Sequence, residues 1–387
     1  MSHLDTILTL APVYSPNVGG SESFFDQLEQ YLRSKKVRRI IITYKPLTNR
    51  KKAAFVEQKP WVTIVRIPWP GRGLFYILEP YPVLLFLYLF PGIFFGALFT
   101  LLHNRRKISV IHAHGLACGA AAAFLGPLFG IRRVLSLHTI YKFRQRPWLA
   151  RIVRKIFNRM DALPLLAAGC RDDLVAIGVP DRKVQVYNDW VDLDRFRILN
   201  KFDCRKRLQL KEDAFILLFL GRMAPEKGVE LVASVAQDER CRDIIFIFVG
   251  AGPLLKDMKE LNVRENIHVV GEIENQDAIY YFNAADALIW GSVDADYIGR
   301  VTIEALACGL PVILPNETEY FGTSQPVRFE LPEAIGRITA NSETRVIELL
   351  QKIKNGDIVF DRNACRRYAF EKYGPANGGI IFATYSC

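Results

Sequence analysis

The sequence lacks the cysteine pattern of a disulfide-bonded or zinc-binding protein. Its seven cysteines are scattered along 387 residues, and no two of them form a Cys-x-x-Cys pair. Small secreted domains and structural zinc sites depend on closely spaced cysteines. We therefore predict a protein of a reducing compartment, with no metal site built from cysteine.

A secretory signal and low-complexity tracts are also missing. The first twenty residues include Asp5 and two prolines, and they contain no cleavable apolar core. No short repeat is evident along the chain. We expect a cytoplasmic globular protein, and its length favours two or three domains.

Acidic residues are scarce in the first half of the chain. Residues 1–200 hold 29 Lys and Arg against 13 Asp and Glu, a net charge of +16, whereas residues 201–387 hold 22 against 27, a net charge of −5. This excess favours an anionic partner, either a charged substrate or an anionic membrane surface. Nucleic acid is disfavoured, because the sequence has no recognition module and no interleaving of aromatic and basic residues.

Apolar runs alternate with longer segments in both halves of the chain. Such runs are typical of parallel strands covered on both faces, and their alternation with helices indicates an α/β fold. The character of the sequence changes near residues 186–212. We predict two Rossmann-like domains with parallel sheets that face each other across a cleft, residues 1–198 and 199–387. The predicted strands are 7–10, 39–43, 64–67, 110–113, 134–138, 216–220, 244–249, 267–270, 287–290 and 311–314.

Two carboxylates in the second half bracket a glycine and the start of an apolar helix. The stretch reads Asp296-Tyr-Ile298-Gly299-Arg300-Val301-Thr-Ile-Glu304. Glu304 would lie about two turns beyond Asp296, so both carboxylates can reach one ligand. The bare helix start at Gly299 offers free N–H groups and the positive end of a helix dipole, which suit a diphosphate. This pattern predicts a nucleotide-sugar site.

A second segment places two cations directly after a buried strand. It reads Phe215-Ile-Leu-Leu-Phe-Leu-Gly221-Arg222-Met-Ala-Pro-Glu226-Lys227-Gly228. Ligands of parallel sheets bind beyond the carboxyl ends of the strands. The fork of Arg222 and the point charge of Lys227 both suit phosphate oxygens. We therefore predict that these two side chains bind the diphosphate.

With these two motifs the chain resembles glycosyltransferase family 4, the retaining transferases of the GT-B fold. The family is marked by a Gly-Arg…Lys-Gly loop and a Glu-x7-Glu motif. Further segments match in the same order. They are a glycine loop that ends at Gly19 and Gly20, a strand end that carries His138, and a Val-Gly-x-Gly-Pro turn with Gly250 and Gly252. The match extends over most of the chain.

The resemblance implies a role for each matched residue. Arg222 and Lys227 would neutralise the leaving diphosphate, which is electrostatic catalysis by fixed cations. His138 would hydrogen-bond the sugar or the diphosphate, Asp296 would contact the sugar, and Glu304 would hold the ribose hydroxyls. The other expected donor contacts are Gly19, Gly20, Gly250, Gly252, Ile298, Gly299, Arg300 and Val301. No metal and no cofactor is expected, because no Asp-x-Asp element lies in a metal-binding context.

The sequence departs from the family pattern at several positions. Asp296 stands where the family usually has Glu, which shortens that side chain by one methylene. Trp190 puts a bulky ring in the linker. Residues 374–379 are rich in turn-forming residues, so we expect the final helix that returns to the first domain to be short or displaced. We also expect at most one of His112 and His114 to face the cleft, with His112 a structural histidine.

Two segments of the first domain favour contact with a membrane. Residues 142–159 combine an apolar helical stripe with several Lys and Arg side chains, as in a basic amphipathic helix that lies in a lipid interface. Pro80–Leu102 is apolar over a length that would cross a bilayer, about 20 residues, but it contains prolines and glycines. Burial or shallow insertion is favoured over a span, and core packing of both segments stays open as an alternative.

These features and the resemblance together predict a glycosyltransferase that moves a hexose from a UDP- or GDP-linked donor, and the resemblance alone implies that it is retaining. The expected acceptor is a lipid or lipid-linked hydroxyl at the cytoplasmic membrane face. Three other functions stay open. A transferase could use a soluble sugar or sugar-phosphate acceptor, an epimerase of the same fold would need no acceptor, and a binding subunit would result if Asp296 disables the site.

Overall fold

The computed structural model of the chain describes residues 6–16, 20–47, 51–71, 73–78, 81–137, 147–166, 168–291, 298–320, 323–326 and 329–386. The chain divides into two compact units. The first unit comprises residues 1–189 and 375–387, and the second comprises residues 190–374. A short segment near the end of the sequence therefore belongs to the first unit.

The first unit is built on a parallel sheet. Its strands are β1 (Thr6–Leu10), β2 (Arg38–Tyr44), β3 (Val56–Lys59), β4 (Val62–Ile67), β5 (Ile108–His114), β6 (Arg132–Ser136), β7 (Leu163–Leu165) and β8 (Val184–Val186). Six of them form one sheet in the order β3-β4-β2-β1-β5-β6, and only the edge pair β3–β4 is antiparallel. Strands β7 and β8 form a parallel pair beside β6.

Helices cover both faces of this sheet. They are α1 (Gly20–Ser34), α2 (Leu74–Leu78), α3 (Pro82–Asn104), α4 (Leu116–Phe129), α5 (Pro147–Asn158), α6 (Ala168–Ala176) and, after the second unit, α14 (Ala376–Ala383). Helices α3, α4 and α5 share an apolar core with Leu8, Leu10 and Ile42 of the sheet. Helices α1 and α14 contact each other on the opposite face.

Helix α3 is a single helix although it contains Pro91. A proline lacks an N–H and would ordinarily interrupt the helical ladder. The Tyr44 hydroxyl of β2 donates to the Leu89 carbonyl and accepts a hydrogen bond from the Ile93 N–H at 3.0 Å, so it bridges a donor and an acceptor of the helical ladder on either side of Pro91. With the following 3₁₀ turn, α3 is the one described helix that is long and apolar enough to cross a membrane, a test that core helices also pass.

The face of the first sheet beneath α1 and α14 is polar. Arg39 is 2% exposed, and its Nε donates to Thr9 Oγ1 at 3.4 Å. His112 is fully buried, with Nε2 2.8 Å from Ser136 Oγ and Nδ1 2.8 Å from the Tyr385 hydroxyl. Burial raises the pKa of Tyr385, so its hydroxyl keeps its proton at neutral pH. A hydrogen-bonded layer therefore joins the end of the chain to the sheet.

The expectation that the residues after Tyr373 form turns is wrong, because residues 376–383 form α14, whereas the expected shortness of the returning helix is confirmed by its length of eight residues. Tertiary contacts stabilise this helix against its low intrinsic propensity. Gly378 lies so close to Tyr31 that a Cβ would approach the ring to 2.8 Å, and the Arg132 guanidinium donates to the Thr384 carbonyl at 2.7 Å. Asn377 Oδ1 also accepts from the backbone N–H of residue 188 at 3.2 Å.

The second unit contains a sheet in which every neighbouring pair is parallel. Its order is β11 (Ile267–Gly271), β10 (Ile244–Val249), β9 (Phe215–Leu220), β12 (Ala287–Ile289), β13 (Val312–Pro315) and β16 (Gly336–Thr339), and a separate hairpin joins β14 (Glu317–Tyr320) to β15 (Thr323–Pro326). The helices are α7 (Lys201–Arg207), α8 (Val229–Gln237), α9 (Leu255–Glu260), α10 (Ala278–Ala284), α11 (Arg300–Ala307), α12 (Glu343–Lys354) and α13 (Arg362–Tyr373).

The predicted α/β fold with parallel sheets in two units is confirmed, and all ten predicted strands are present within a few residues. The strands β3, β7, β8, β14, β15 and β16 were not predicted. Most of them are short or lie at an edge, where the apolar run that marks a buried parallel strand is absent.

Candidate active site

The predicted loops meet at the topological switch of the second sheet. From β9 the chain passes through β10 and β11 on one side, whereas β12 and β13 lie on the other side. A ligand crevice forms beyond the carboxyl ends of two such neighbouring strands. Residues 221–228 follow β9, residues 290 and 291 follow β12, and α11 begins at Arg300, so the fold brings the cationic loop close to the start of the helix that the sequence singles out.

Backbone packs directly on backbone at this edge of the sheet. A Cβ at Gly250 would lie 1.9 Å from the Gly221 carbonyl oxygen, and a Cβ at Gly228 would lie 2.5 Å from the Gly291 carbonyl oxygen. Gly252 approaches the backbone after β9 equally closely. Side chains cannot fit in these contacts. Gly250 and Gly252 therefore hold the loops together, and their contact with a donor stays a prediction.

Both predicted cations lie in the loop after β9. The Arg222 side chain is 60% exposed, and its Nη1 lies 3.4 Å from Oε1 of Glu226. Lys227 ends a 3₁₀ turn, and its Nζ lies 6.0 Å from the centre of the Trp290 ring. An exposed ion pair contributes at most about 1 kcal/mol. An incoming anion can therefore replace Glu226 as the partner of Arg222 at little cost.

The start of α11 lies beside this loop. Its N-cap is Gly299, which has an extended conformation and offers no side-chain cap to the first N–H groups. Glu304 is the fifth residue of the helix and is 7% exposed. Ile298 is buried in the hydrophobic core, Val301 packs against that core, and Arg300 Nη1 donates to the Trp190 carbonyl at 3.4 Å. Ile298 can therefore serve a donor only through its backbone.

Trp290 is a central residue that sequence reasoning missed. Its ring stacks on Phe219, with centroids 5.1 Å apart. A Cβ at Gly221 would lie 2.2 Å from the Trp290 ring, and the Nε1 atom lies near Gly299. The indole thus packs between the cationic loop and the start of α11. An aromatic residue at the end of the run Ala287–Trp290 was the available signal.

The first unit has its own switch point between β1 and β5. The loop after β1 is anchored by Arg66, which is 2% exposed and donates through Nη2 to the Ser15 carbonyl at 2.9 Å. Arg66 Nη1 also lies 2.7 Å from Glu57 Oε2. This loop leads to Gly20, the first residue of α1. Arg66 and Glu57 carried no sequence signal.

The expectation that at most one of His112 and His114 faces the cleft assumed that the two side chains point to opposite faces of the strand, and that assumption is wrong. Residues two apart on a strand share a face, and the two rings have centroids only 4.2 Å apart. His114 packs against Phe24 and Phe25 of α1. His112 is bonded at both ring nitrogens, as a structural histidine should be.

Three predicted site residues, Gly19, His138 and Asp296, lie outside the described residues, and their roles stay predictions. Among the residues that the structure describes, no group of three or more His, Cys, Asp or Glu is arranged to hold a metal ion. The structure brings together Arg222, Lys227, Gly250, Gly252 and the 298–304 segment in the second unit.

Two family models match successive parts of the chain. Residues 18–195 match the model described as Glycosyltransferase Family 4, and residues 200–322 match Glycosyl transferases group 1. The chain is 21% identical to the phosphatidylinositol N-acetylglucosaminyltransferase GPI3 subunit of Saccharomyces cerevisiae, with 83% of this chain and 72% of that protein covered. It is 26% identical to D-inositol 3-phosphate glycosyltransferase 2 of Catenulispora acidiphila, with 55% of this chain and 56% of that protein covered.

Solved structures agree on the fold. The crystal structure of Anabaena Alr3699/HepE in complex with UDP and glucose superposes with a TM-score of 0.73 at 16% identity, with 100% of both chains covered. That likeness, the two family matches and the loops at the switch point of the second sheet lead to one conclusion. The chain belongs to glycosyltransferase family 4 and is a glycosyltransferase of the GT-B fold.

Proposed function

We propose that the protein is a retaining hexosyltransferase that uses a UDP- or GDP-linked sugar. In the reaction, the bond between the anomeric carbon and the donor diphosphate breaks. A new glycosidic bond forms to an acceptor hydroxyl, and a nucleoside diphosphate and a proton are released. The proposed acceptor is a lipid or lipid-linked hydroxyl at the cytoplasmic face of the membrane, to which the protein binds peripherally.

The observation that carries the donor half of this proposal is the loop with Arg222 and Lys227 at the switch point, beside the uncapped start of α11. Two cations and a helix N-terminus favour the negative charge that develops on a departing diphosphate. Fixed charges of this kind need no reorganisation during the reaction, and no metal step is required. Glu304, the fifth residue of α11, is the proposed partner of the ribose hydroxyls.

The donor class is supported by the Anabaena structure, whose complex contains UDP and glucose. The retained configuration follows from the family resemblance. His138 and Asp296 are proposed to contact the transferred sugar.

The lipid acceptor rests on the first unit and on one relative. Residues 1–200 carry a net charge of +16, which favours an anionic acceptor or an anionic membrane. The name of the Saccharomyces cerevisiae relative specifies phosphatidylinositol. A second candidate, a soluble phosphorylated acceptor, is supported by the inositol phosphate in the name of the Catenulispora relative.

The donor can be tested by thermal unfolding of the purified protein with UDP, GDP, ADP and their sugar conjugates. A ligand at one hundred times its dissociation constant stabilises the folded state by about 2.7 kcal/mol. We expect one nucleotide to raise the melting temperature selectively. If none does, a binding subunit replaces the transferase, and Asp296→Glu should then restore the response.

The acceptor can be tested with the radiolabelled form of the donor that stabilises the protein. Transfer into an organic-extractable product in the presence of phospholipid vesicles supports the lipid acceptor. Transfer only to added inositol phosphate or sugar phosphate, unchanged by vesicles, supports the soluble acceptor. Release of an epimerised sugar nucleotide without any acceptor would contradict both.

A further inference from the structure

Helix α3 has two apolar faces, and only one of them is buried. Its inner face packs on the sheet through Leu89, Ile93, Ala97 and Leu101. Its outer face bears five apolar side chains that are more than half exposed: Leu84, Leu87, Phe95, Phe99 and Leu102. The helix contains no Asp, Glu, Lys or Arg between Pro82 and Asn104. A helix at a water-facing surface would carry polar side chains on the outer face.

The exposed apolar face continues across the neighbouring helices. Helix α4 packs on α3 and also on α5. It exposes Phe124 and Leu128, and α5 exposes Trp148 and Ile152. The outer surface comprises these four side chains and the five of α3, each between 51% and 73% exposed. Soluble proteins rarely leave a contiguous group of large apolar side chains in water, and such a group marks an interaction site.

The charge around the outer surface identifies its partner. Residues 80–160 contain twelve Lys and Arg and not a single Asp or Glu. Within this range, the exposed cations among the described residues follow α3, lie on α5 or directly follow α5. They are Arg105, Arg106, Lys107, Arg151, Arg154, Lys155 and Arg159. Apolar side chains bordered by cations fit the boundary between acyl chains and anionic headgroups. Each Lys or Arg near such a surface contributes about 1 kcal/mol of attraction.

A second copy of the chain is a poor partner for the same surface. A symmetric contact would place two acid-free, cationic borders against each other, and like charges oppose such a contact. An anionic bilayer supplies the opposite charge and an apolar layer together.

We propose that the outer surface embeds in one leaflet of an anionic membrane, with α3 lying flat along the interface. This inference names the surface that carries out the peripheral binding of the proposed function, and it rests on that function for its purpose, which is to bring the site to a lipid acceptor. Binding itself requires no transfer chemistry.

The packing of α3 excludes a bilayer span. Its inner face is pressed so closely on the sheet that a Cβ at Gly92 would lie 2.5 Å from Tyr44, and one at Gly96 would lie 2.5 Å from Ile67. The Tyr44 hydroxyl also completes the helical ladder at Ile93. Pulling α3 into a bilayer would expose this core and leave the backbone beside Pro91 without its partner, so α3 can offer lipid only its outer face.

The first experiment is flotation with vesicles of phosphatidylcholine alone and of phosphatidylcholine with phosphatidylglycerol. We expect the protein to bind the anionic vesicles. Phe95→Glu and Phe99→Glu should each weaken that binding at least tenfold. Phe55→Glu is the matched control, because Phe55 is 54% exposed in the same unit and lies outside the outer surface. Val263→Glu is a second control, since Val263 is 88% exposed in the other unit.

The orientation of α3 is tested with a fluorophore attached to cysteines placed at positions 84, 95 and 102, with Cys170 and Cys387 replaced by serine. Lipids that carry a nitroxide at two depths then quench the fluorophore. A flat helix gives the same shallow depth at all three positions. A span would place position 95 deepest.

Each other outcome overturns the proposal. Binding that Phe95→Glu and Phe99→Glu leave unchanged, or that both controls reduce equally, rules out the outer surface as the contact. If the protein is a dimer that these variants dissociate, while vesicle binding stays the same, a second copy covers the surface. Stabilisation by nucleotides reports the donor site separately, so vesicle binding without any nucleotide response would contradict the proposed function and leave this inference standing.

Discussion

The two units share a parallel α/β plan but stabilise their sheets differently. Strands β9 and β10 of the second unit are entirely apolar, and their loops are held by glycines that allow backbone to touch backbone. The first sheet buries Arg39, Arg66 and His112 on one face, and its helices include one from the far end of the sequence. The second unit thus concentrates its chemistry in loops, whereas the first depends on a buried polar layer and presents a broad apolar and basic surface.

The largest expected effect is loss of catalysis in the second unit. Lys227→Ala and Arg222→Ala should each lower kcat by about 10²–10³-fold, because one fixed charge is removed from the leaving diphosphate. The assay is transfer from the nucleotide sugar under saturating conditions. Lys259→Ala, which removes an exposed cation of α9, should leave the rate near normal. A near-normal rate for Lys227→Ala, with the fold intact, would remove that residue from the site.

Glycine-to-alanine substitutions test whether the close contact between the backbones of Gly250 and Gly221 stabilises the second unit. Gly250 and Gly271 both have positive φ, +136° and +91°. Only Gly250 faces the Gly221 carbonyl, whereas nothing lies within 4 Å of a Cβ at Gly271. Gly250→Ala should lower the free energy of unfolding by about 1–3 kcal/mol more than Gly271→Ala does. Denaturant unfolding measures both, and equal losses would show that the strained φ alone matters.

The buried polar layer of the first unit gives the next effect. Tyr385→Phe removes the hydroxyl that meets His112 Nδ1 and leaves a buried ring nitrogen without that partner, so we expect a loss of about 1–3 kcal/mol. Tyr81→Phe is the control, since Tyr81 is 58% exposed. Both variants are measured by denaturant unfolding. Equal losses of unfolding free energy in Tyr385→Phe and Tyr81→Phe would contradict a stabilising role for the buried polar layer.

The smallest effect depends on pH. Burial alone would raise the pKa of Asp161, but hydrogen bonds from the Arg133 guanidinium and backbone N–H more than offset it and hold the pKa below its usual range. The carboxylate therefore stabilises the fold above its unfolded pKa of about 3.9 and loses that contribution as the pH falls towards the lower folded pKa. Asp161→Asn should cost about 1 kcal/mol at pH 7 and progressively less below pH 4.

Unfolding free energies from pH 7 to pH 2 check this prediction. Asp181→Asn is the control, because the pair of Asp181 with Arg171 is exposed to solvent. The loss of unfolding free energy in Asp161→Asn should shrink as the pH falls. If it stays constant, the ion pair with Arg133 is not the source of the loss.

The second unit could be predicted from the sequence in more detail than the first. Buried parallel strands give continuous apolar runs, and a glycine ends such a run at Gly221, so both the strands and the cationic loop were recognisable. Trp290 was missed because its position follows from packing across strands rather than from spacing along one. The first residues of α14 were expected to form turns because their composition favours turns, and contacts with Tyr31 and Arg132 override that preference.

The exposed side of the outer surface could not be predicted from the sequence pattern. The composition of Pro80–Leu102 disfavours a span, because the segment contains prolines and glycines, but it fits a core helix and a surface helix equally well. Only the fold shows that Leu89 and Ile93 face the sheet while Phe95 and Phe99 face outward. The position of the sheet decides which side of α3 is buried. The spacing of apolar residues along the helix does not reveal that position.

The position of α14 has a consequence for how the chain is synthesised. The ribosome releases β1 to β8 first, but the Tyr385 hydroxyl that meets His112 follows about two hundred residues later, after the whole second unit. At typical elongation rates of about 5–20 residues per second, the first sheet waits on the order of ten seconds or longer for that helix. During this interval α14 does not yet cover its part of the polar face. The second unit is contiguous in sequence, so it can fold before the first unit is complete.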